Sequence, residues 1–253
     1  VHPWFSVMYR RQGFRDWFPG DIDIVSEDGT VQDRGADVHS EAFRDFMVDV
    51  MVGIARDYGV DGIHLDYIRS MGNCYCERCR AQFAEQFGKP LSEATDEDWV
   101  RWQSQAIGDI VLRTAEGVRE VNPDARISCA VFSNMSGGAS QGQQAPAWAN
   151  AGLVDIVMPM DYKMQTIELK ASEEQWLEAL DDDDKLCTGI SVYASGGDEP
   201  VSRPPALVSE QVKMLRGMGI HGYNLFRLGF VEGDLLEAFA EEINEEDAVP
   251  FYR

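Results

Sequence analysis

The chain has 253 residues, 44% of them hydrophobic, which is enough for one large globular core, and α/β barrels of this size form as one domain. A net charge of −22 excludes nucleic acid as a partner, because no basic footprint is on offer, and it disfavours anionic lipid surfaces. No run approaches the roughly 18 uninterrupted apolar residues that cross a membrane.

In chain order, "WFSVMYR" (4–10) predicts a first strand ending on Arg10. It stands at the start with no signal peptide before it, so the chain is expected to be N-terminally incomplete. A helix is predicted over 40–57, opening on Ser40 and closing at Gly59. "GIHLDYI" (62–68) is the second strand, with His64 and Asp66 two apart and therefore on one face. Helices over about 79–87 and 97–120 follow, the second stopped by Asn122-Pro123-Asp124. Strands "RISCAVFS" (126–133) and "DIVMPMD" (155–161) come next, then a helix over about 172–180. "LCTGISVYA" (186–194), a helix over about 208–217, "GYNLFRL" (222–228) and a helix over about 233–245 complete the series. Strands alternating with helices predict βα units on a parallel sheet.

"GVDGIHLDYIR" (59–69) and "GLVDIVMPMDYK" (152–163) echo each other, as repeated βα units of a barrel should. The segments after the strands, 11–39, 69–78, 134–147 and 195–206, are long and rich in glycine, serine and proline. Long loops at the C-terminal strand ends build the active sites of α/β folds.

Two strands end on the same pattern, Asp66-Tyr67-Ile68-Arg69 and Asp161-Tyr162-Lys163. A carboxylate at an apolar strand end is costly unless it has a partner or a purpose. Two carboxylates are the minimum apparatus for glycosidic cleavage, one as nucleophile or base and one as proton donor. The flanking Tyr67, Arg69, Tyr162 and Lys163 suit sugar stacking and hydroxyl recognition. His64 shares the face of Asp66, as a pocket residue or as a hydrogen-bonded barrel histidine. Asn134, Trp148, Tyr193 and Asn224 lie near loop-bearing ends and are candidate sugar contacts, any one of which also reads as ordinary packing. Arg10, ending the first strand, is a candidate for a substrate hydroxyl or carboxylate.

The five cysteines are an odd number and give no disulfide framework. Cys74, Cys76 and Cys79, in "CYCERC", have the spacing of a structural zinc staple, with the fourth ligand open among a histidine, an aspartate and an upstream residue. A disulfide with one thiol left over is the competing reading. Cys129 and Cys187 read as packing residues. "DDDDK" (181–185) reads as a solvated loop between helix and strand. Phosphate-binding, dinucleotide-binding, serine-elbow and zinc-protease signatures are all missing, so no cofactor is expected in the chemistry.

"YGVDGIHLDYIR", the helix before it and "DIVMPMDYK" resemble the glycosyl-hydrolase-like family ten, related to the α-galactosidase superfamily of barrel glycoside hydrolases. The resemblance implies a (β/α)8 TIM-type barrel spanning 1–253 as one catalytic domain, with six βα units present and strands one and two lacking. It implies Asp66 as nucleophile and Asp161 as acid/base, with retention at an α-linked sugar by analogy. It also implies a carbohydrate substrate and an extracytoplasmic or secreted setting. Two other classes stand beside it: a non-catalytic carbohydrate-binding barrel, and a metal-dependent hydrolase using His64, Asp66 and the cysteines. Oligomeric state is not legible.

Overall fold

The computed structural model describes residues 1–18, 22–195, 200–231 and 233–244. The chain divides into two compact units, Val1–Val154 and Asp155–Arg253. Within the predicted segments, 19–21 of the loop over 11–39, 196–199 of the loop over 195–206 and residue 245 of the last helix fall outside the described residues.

The first unit holds three strands, β1 (Trp4–Ser6), β2 (Gly62–Asp66) and β3 (Arg126–Phe132). They pair in parallel, Ser6 opposite Asp66 and Ile63 opposite Ile127. Its helices are α1 (Gln12–Trp17), α2 (Glu41–Asp57), α3 (Glu77–Phe87), α4 (Asp96–Val121), α5 (Met135–Ala139) and α6 (Ala145–Asn150). The period-2 burial of β2 sets the layers: Ile63 and Leu65 are fully buried, while His64 and Asp66 on the other face are only half-buried.

Helix α4 starts at a capping box: Thr95 Oγ1 accepts from the Asp98 N–H at 3.2 Å, and Asp98 Oδ2 accepts from the Thr95 N–H at 2.7 Å. Its buried stripe of Ile107, Ile110, Val111, Ala115 and Val118 packs on the α2 stripe of Phe43, Met47 and Met51. The two helices approach so closely at Gly117 that a Cβ there would lie 2.7 Å from Val52. Ion pairs Arg44–Asp109 (3.1 Å) and Arg113–Asp45 (2.8 Å) flank the seam.

The second unit holds three more parallel-type strands, β4 (Ile156–Met160), β5 (Cys187–Ser191) and β8 (Gly222–Phe226), and a small antiparallel ribbon of β6 (Tyr193–Ser195) with β7 (Pro200–Ser202). Its helices are α7 (Thr166–Ala179), α8 (Pro205–Gly217) and the short α9 (Asp234–Ala238), which runs on as a wider turn over Phe239–Ile243. The six strands and five of the six helices fall within a few residues of their predicted places. The helix predicted over 172–180 begins earlier, at Thr166. The short α1, α5 and α6 carry too few residues for a legible period, and the ribbon divides what reads as one strand over 186–194. None of the helices among the described residues is long and apolar enough to cross a membrane.

Gly62 shows how tightly β2 and β3 are paired. A Cβ at that position would lie 2.4 Å from the Arg126 carbonyl oxygen and 2.5 Å from the His2 ring. Gly62→Ala therefore forces the strand apart and is expected to destabilise the protein by about 1–3 kcal/mol. Urea unfolding measures this, and an unchanged midpoint would show that the strands yield freely.

Candidate functional site

At the end of β2 the Asp66 carboxylate is held from two sides. Trp4 donates its indole N–H to Oδ2 at 2.9 Å, and the Tyr67 backbone N–H donates to Oδ1 at 2.6 Å. Tyr67 takes a left-handed φ of +50°, a conformation that costs a non-glycine residue about 1–3 kcal/mol. Two bonds fix that turn: the Met8 N–H donates to the Tyr67 carbonyl at 3.2 Å, and so does the Arg69 N–H at 2.9 Å. The strain turns the chain sharply just after Asp66 and leaves its carboxylate partly open.

Arg69 packs its guanidinium between the Tyr67 and Phe132 rings, 4.6 and 4.5 Å from their centroids, and its Nη1 has no partner among the described residues. Tyr9 lies against Tyr67 with ring centroids 4.9 Å apart. The Trp4 ring remains 63% exposed, an open apolar face beside a carboxylate. His64 Nδ1 and Ser128 Oγ share a hydrogen bond at 2.9 Å, and burial pushes the imidazole down to about 4. His64 is therefore neutral at pH 7, as expected of a hydrogen-bonded barrel histidine.

Three predicted contacts have other duties. Arg10 is 4% exposed and bonds Asp23 at 2.7 Å and the Ile22 carbonyl at 3.2 Å, so it braces the loop after β1 and is not presented to a substrate. Trp148 is 5% exposed and belongs to the core. Asn134 is exposed but caps α5, accepting from the Gly137 N–H at 3.0 Å and from Ser136 Oγ at 2.8 Å. A cavity of about 600 Å³ lies among α2, α3 and α4, lined by His39, Arg44, Gln82 and Trp102 among others, and no strand-end candidate contributes to it.

In the second unit Asp161 departs from its expected place. Val157, Pro159 and Asp161 form the buried face, and Met158 and Met160 the half-open one. The echo with 59–69 places Asp161 on the face equivalent to Asp66, but β4 is displaced by one residue, and one residue reverses the side-chain faces. The carboxyl is fully enclosed, with Ser172 and Glu173 of α7 against it and Lys163 Nζ 3.9 Å away. Burial raises its pKa. Glu173, also fully buried, accepts from Thr188 Oγ1 of β5 at 2.7 Å, and burial beside Asp161 pushes it up to about 8. Asp161 thus belongs to a buried acid pair under α7 and is not presented at an open strand end.

Glu173 is missed by motif reading, yet a signal exists. It occupies the middle of the Leu169, Glu173, Trp176 stripe, where helical spacing demands an apolar residue. Elsewhere in this unit Tyr162 stacks on Phe226 with centroids 5.6 Å apart, and Tyr193 stacks on Phe230 at 4.8 Å. Arg203 holds the strand-end backbone, donating to the Tyr162 and Lys163 carbonyls at 2.6 and 2.8 Å. Asn224 turns inward, donating to the Cys187 carbonyl at 3.3 Å.

The cysteines 74, 76 and 79 meet around Asp37, on the loop after β1, and all five cysteines are free thiols. That fourth group is not legible in the sequence, because a contact between Asp37 and Cys74, with α2 and β2 lying between them, has no local signature. Burial pushes the thiols of Cys129 and Cys187 up to about 12, which suits inert packing residues. Neither His64 nor Asp66 joins any metal-ligand group among the described residues.

Parallel strands alternating with helices in this way define a partial (β/α) barrel. The glycosyl hydrolase-like 10 family model matches residues 1–204, and the chain belongs to that family. No curated protein matches the sequence. Among solved structures, the glycoside hydrolase domain of PgaB (BpsB) from Bordetella bronchiseptica is similar at TM-score 0.65 and 13% identity, covering 97% of this chain and 73% of that one. A β-galactosidase from Bacillus circulans sp. alkalophilus gives 0.67 at 12% identity, covering 89% and 40%. A chitinase from Chromobacterium violaceum gives 0.53 at 12%, covering 86% and 78%. At such identities the likeness shows the fold, a parallel (β/α) barrel architecture, and the chain spans about two fifths of that β-galactosidase.

Proposed function

We propose that this protein is a glycoside hydrolase in which Asp66 is the carboxylate that acts at the anomeric carbon. The observation that carries the reading is the setting of Asp66: half-open at a C-terminal strand end, oriented by two donors, with a cation and an exposed indole alongside. A sugar ring stacked on Trp4 would present its anomeric carbon toward that carboxylate, and Arg69 would meet its hydroxyls or an acidic substituent. In the retaining course Asp66 attacks the anomeric carbon and forms a glycosyl ester as the bond to the leaving oxygen breaks and that oxygen takes a proton from solvent in the open cleft. Water then attacks the ester carbon, returns a proton to solvent, releases the sugar and regenerates the carboxylate. Family membership and glycosidase-type neighbours support the class, and β-galactosides and chitin-type oligosaccharides are the first substrates to try.

Incubating the protein with that panel and assaying new reducing ends tests the proposal; saturable turnover supports it. The enclosure of Asp161 favours a second reading, a carbohydrate-binding barrel without turnover. Saturable binding in calorimetry with no reducing ends from any glycan would establish that reading instead.

Trp4→Phe removes one donor to Asp66 and keeps an aromatic face. A hydrogen bond to a charged group is worth about 1.5–3 kcal/mol, so kcat is expected to fall about 10- to 100-fold. The melting temperature should hardly move, since the ring is mostly exposed. A proportionate loss of stability would assign Trp4 to the scaffold.

A further inference from the structure

Three thiols and a carboxylate converge from two loops of the first unit. Cys74 and Cys76 lie on the loop after β2, Cys79 in the first turn of α3, and Asp37 on the loop after β1. One donor atom from each lies within 4.8 Å of all the others. A tetrahedron with bonds of about 2.3 Å to sulfur has edges of about 3.8 Å, so the four donors need to close by less than an ångström or so.

The surroundings suit an ion held for good. Cys74 and Cys79 are 1% and 0% exposed, inside a cluster with Phe83, Leu91, Trp99 and Trp102. Such a closed site with no open position is structural in type. Backbone N–H groups already point at two of the sulfurs: Val25 donates to Cys74 and Cys79 donates to Cys76, both at 3.4 Å. The Cys79 thiol donates to Asp37 Oδ2 at 2.9 Å, a proton standing between two ligands where a cation would replace it. Arg78 pairs with the same carboxylate and the His39 N–H donates to its other oxygen at 3.0 Å, so Asp37 is oriented and its charge partly balanced.

We propose that Asp37, Cys74, Cys76 and Cys79 form a tetrahedral Zn²⁺ site that ties the loop after β1 to the loop after β2. Thiolate-rich tetrahedral sites select zinc among the common divalent ions. On binding, the three thiols lose their protons to solvent and four metal–ligand bonds form, with no change of oxidation state. The tie stiffens the segment that begins eight residues after Asp66, and it stands whether or not the chain turns over glycans.

The full chain, purified without chelator and exchanged into metal-free buffer, should hold about one zinc by elemental analysis. Cobalt exchange should give the near-ultraviolet thiolate charge-transfer bands and visible bands of a tetrahedral ion. Asp37→Cys should strengthen the charge-transfer bands by adding a fourth thiolate, and Asp37→Asn should weaken zinc affinity at least about tenfold. Stripping the zinc should lower the melting temperature by more than about 5 °C. Less than about a tenth of an equivalent of zinc, both as purified and after zinc is added back, would overturn the site. A cobalt spectrum unchanged by Asp37→Cys would overturn Asp37 as ligand, and that readout holds even if Asp37→Asn does not fold.

Discussion

Asp66→Asn is expected to lower kcat by about 10⁴-fold or more while leaving glycan binding and the melting temperature near their wild-type values. Asparagine keeps the shape of the side chain, and its one carbonyl oxygen still accepts from one of the two donors, the Trp4 indole or the Tyr67 N–H, while its amide NH2 gives up the other bond. What it loses is the negative charge and the lone pair that attack carbon. The loss should appear in kcat and kcat/KM together, since the group acts in the transition state rather than in binding. Asp66→Gly sharpens the assignment: added azide should restore turnover, forming a glycosyl azide, if the missing group is the nucleophile. A kcat within tenfold of wild type for Asp66→Asn would remove Asp66 from the chemistry and leave the half-open strand end as a binding feature.

Glu173→Gln is expected to change how stability responds to pH. In the fold this carboxyl holds its proton up to about 8, whereas its ordinary value is 4.5. Between those values the folded state binds a proton that the unfolded state has lost, so stability falls as pH rises. Below 4.5 both states are protonated and the group costs nothing; above 8 both are ionised and the cost is fully present, at most about 5 kcal/mol. Glutamine keeps the acceptor for Thr188 and carries no charge. The variant should therefore match wild type near pH 4.5 and exceed it by several kcal/mol near pH 8.5. Urea unfolding across that range measures the difference, and parallel pH curves for the two proteins would show that Glu173 titrates normally.

Enclosure of the Asp161–Glu173 pair also bears on mechanism. Hydrolysis requires a proton donor that touches the leaving oxygen, and Asp161 offers no exposed atom for that contact. Its raised pKa comes from burial under α7, and a buried acid pair perturbs pKa as readily as an active site does. The repeated Asp-Tyr-cation pattern is thus a real repeat of sequence with two different outcomes. At Asp66 the strand parity and the left-handed Tyr67 turn open the carboxylate; at Asp161 a one-residue difference of parity closes it.

By itself the sequence determined the alternation of strands and helices, the face shared by His64 and Asp66, the interest of Asp66, the cluster of Cys74, Cys76 and Cys79, and the family. These are local properties: period-2 and period-3.6 hydrophobicity, capping residues, and short motifs whose parts are neighbours in the chain. Only the tertiary structure decided that Arg10 braces Asp23, that Trp148 is core, that Asp161 meets Glu173, and that Asp37 joins the cysteines. Each of those depends on contacts between segments far apart in sequence, or on the exact residue at which a strand begins. A shift of one position in β4 leaves the hydrophobic pattern almost unchanged, yet it turns a carboxylate from an open strand end to the buried side beneath a helix.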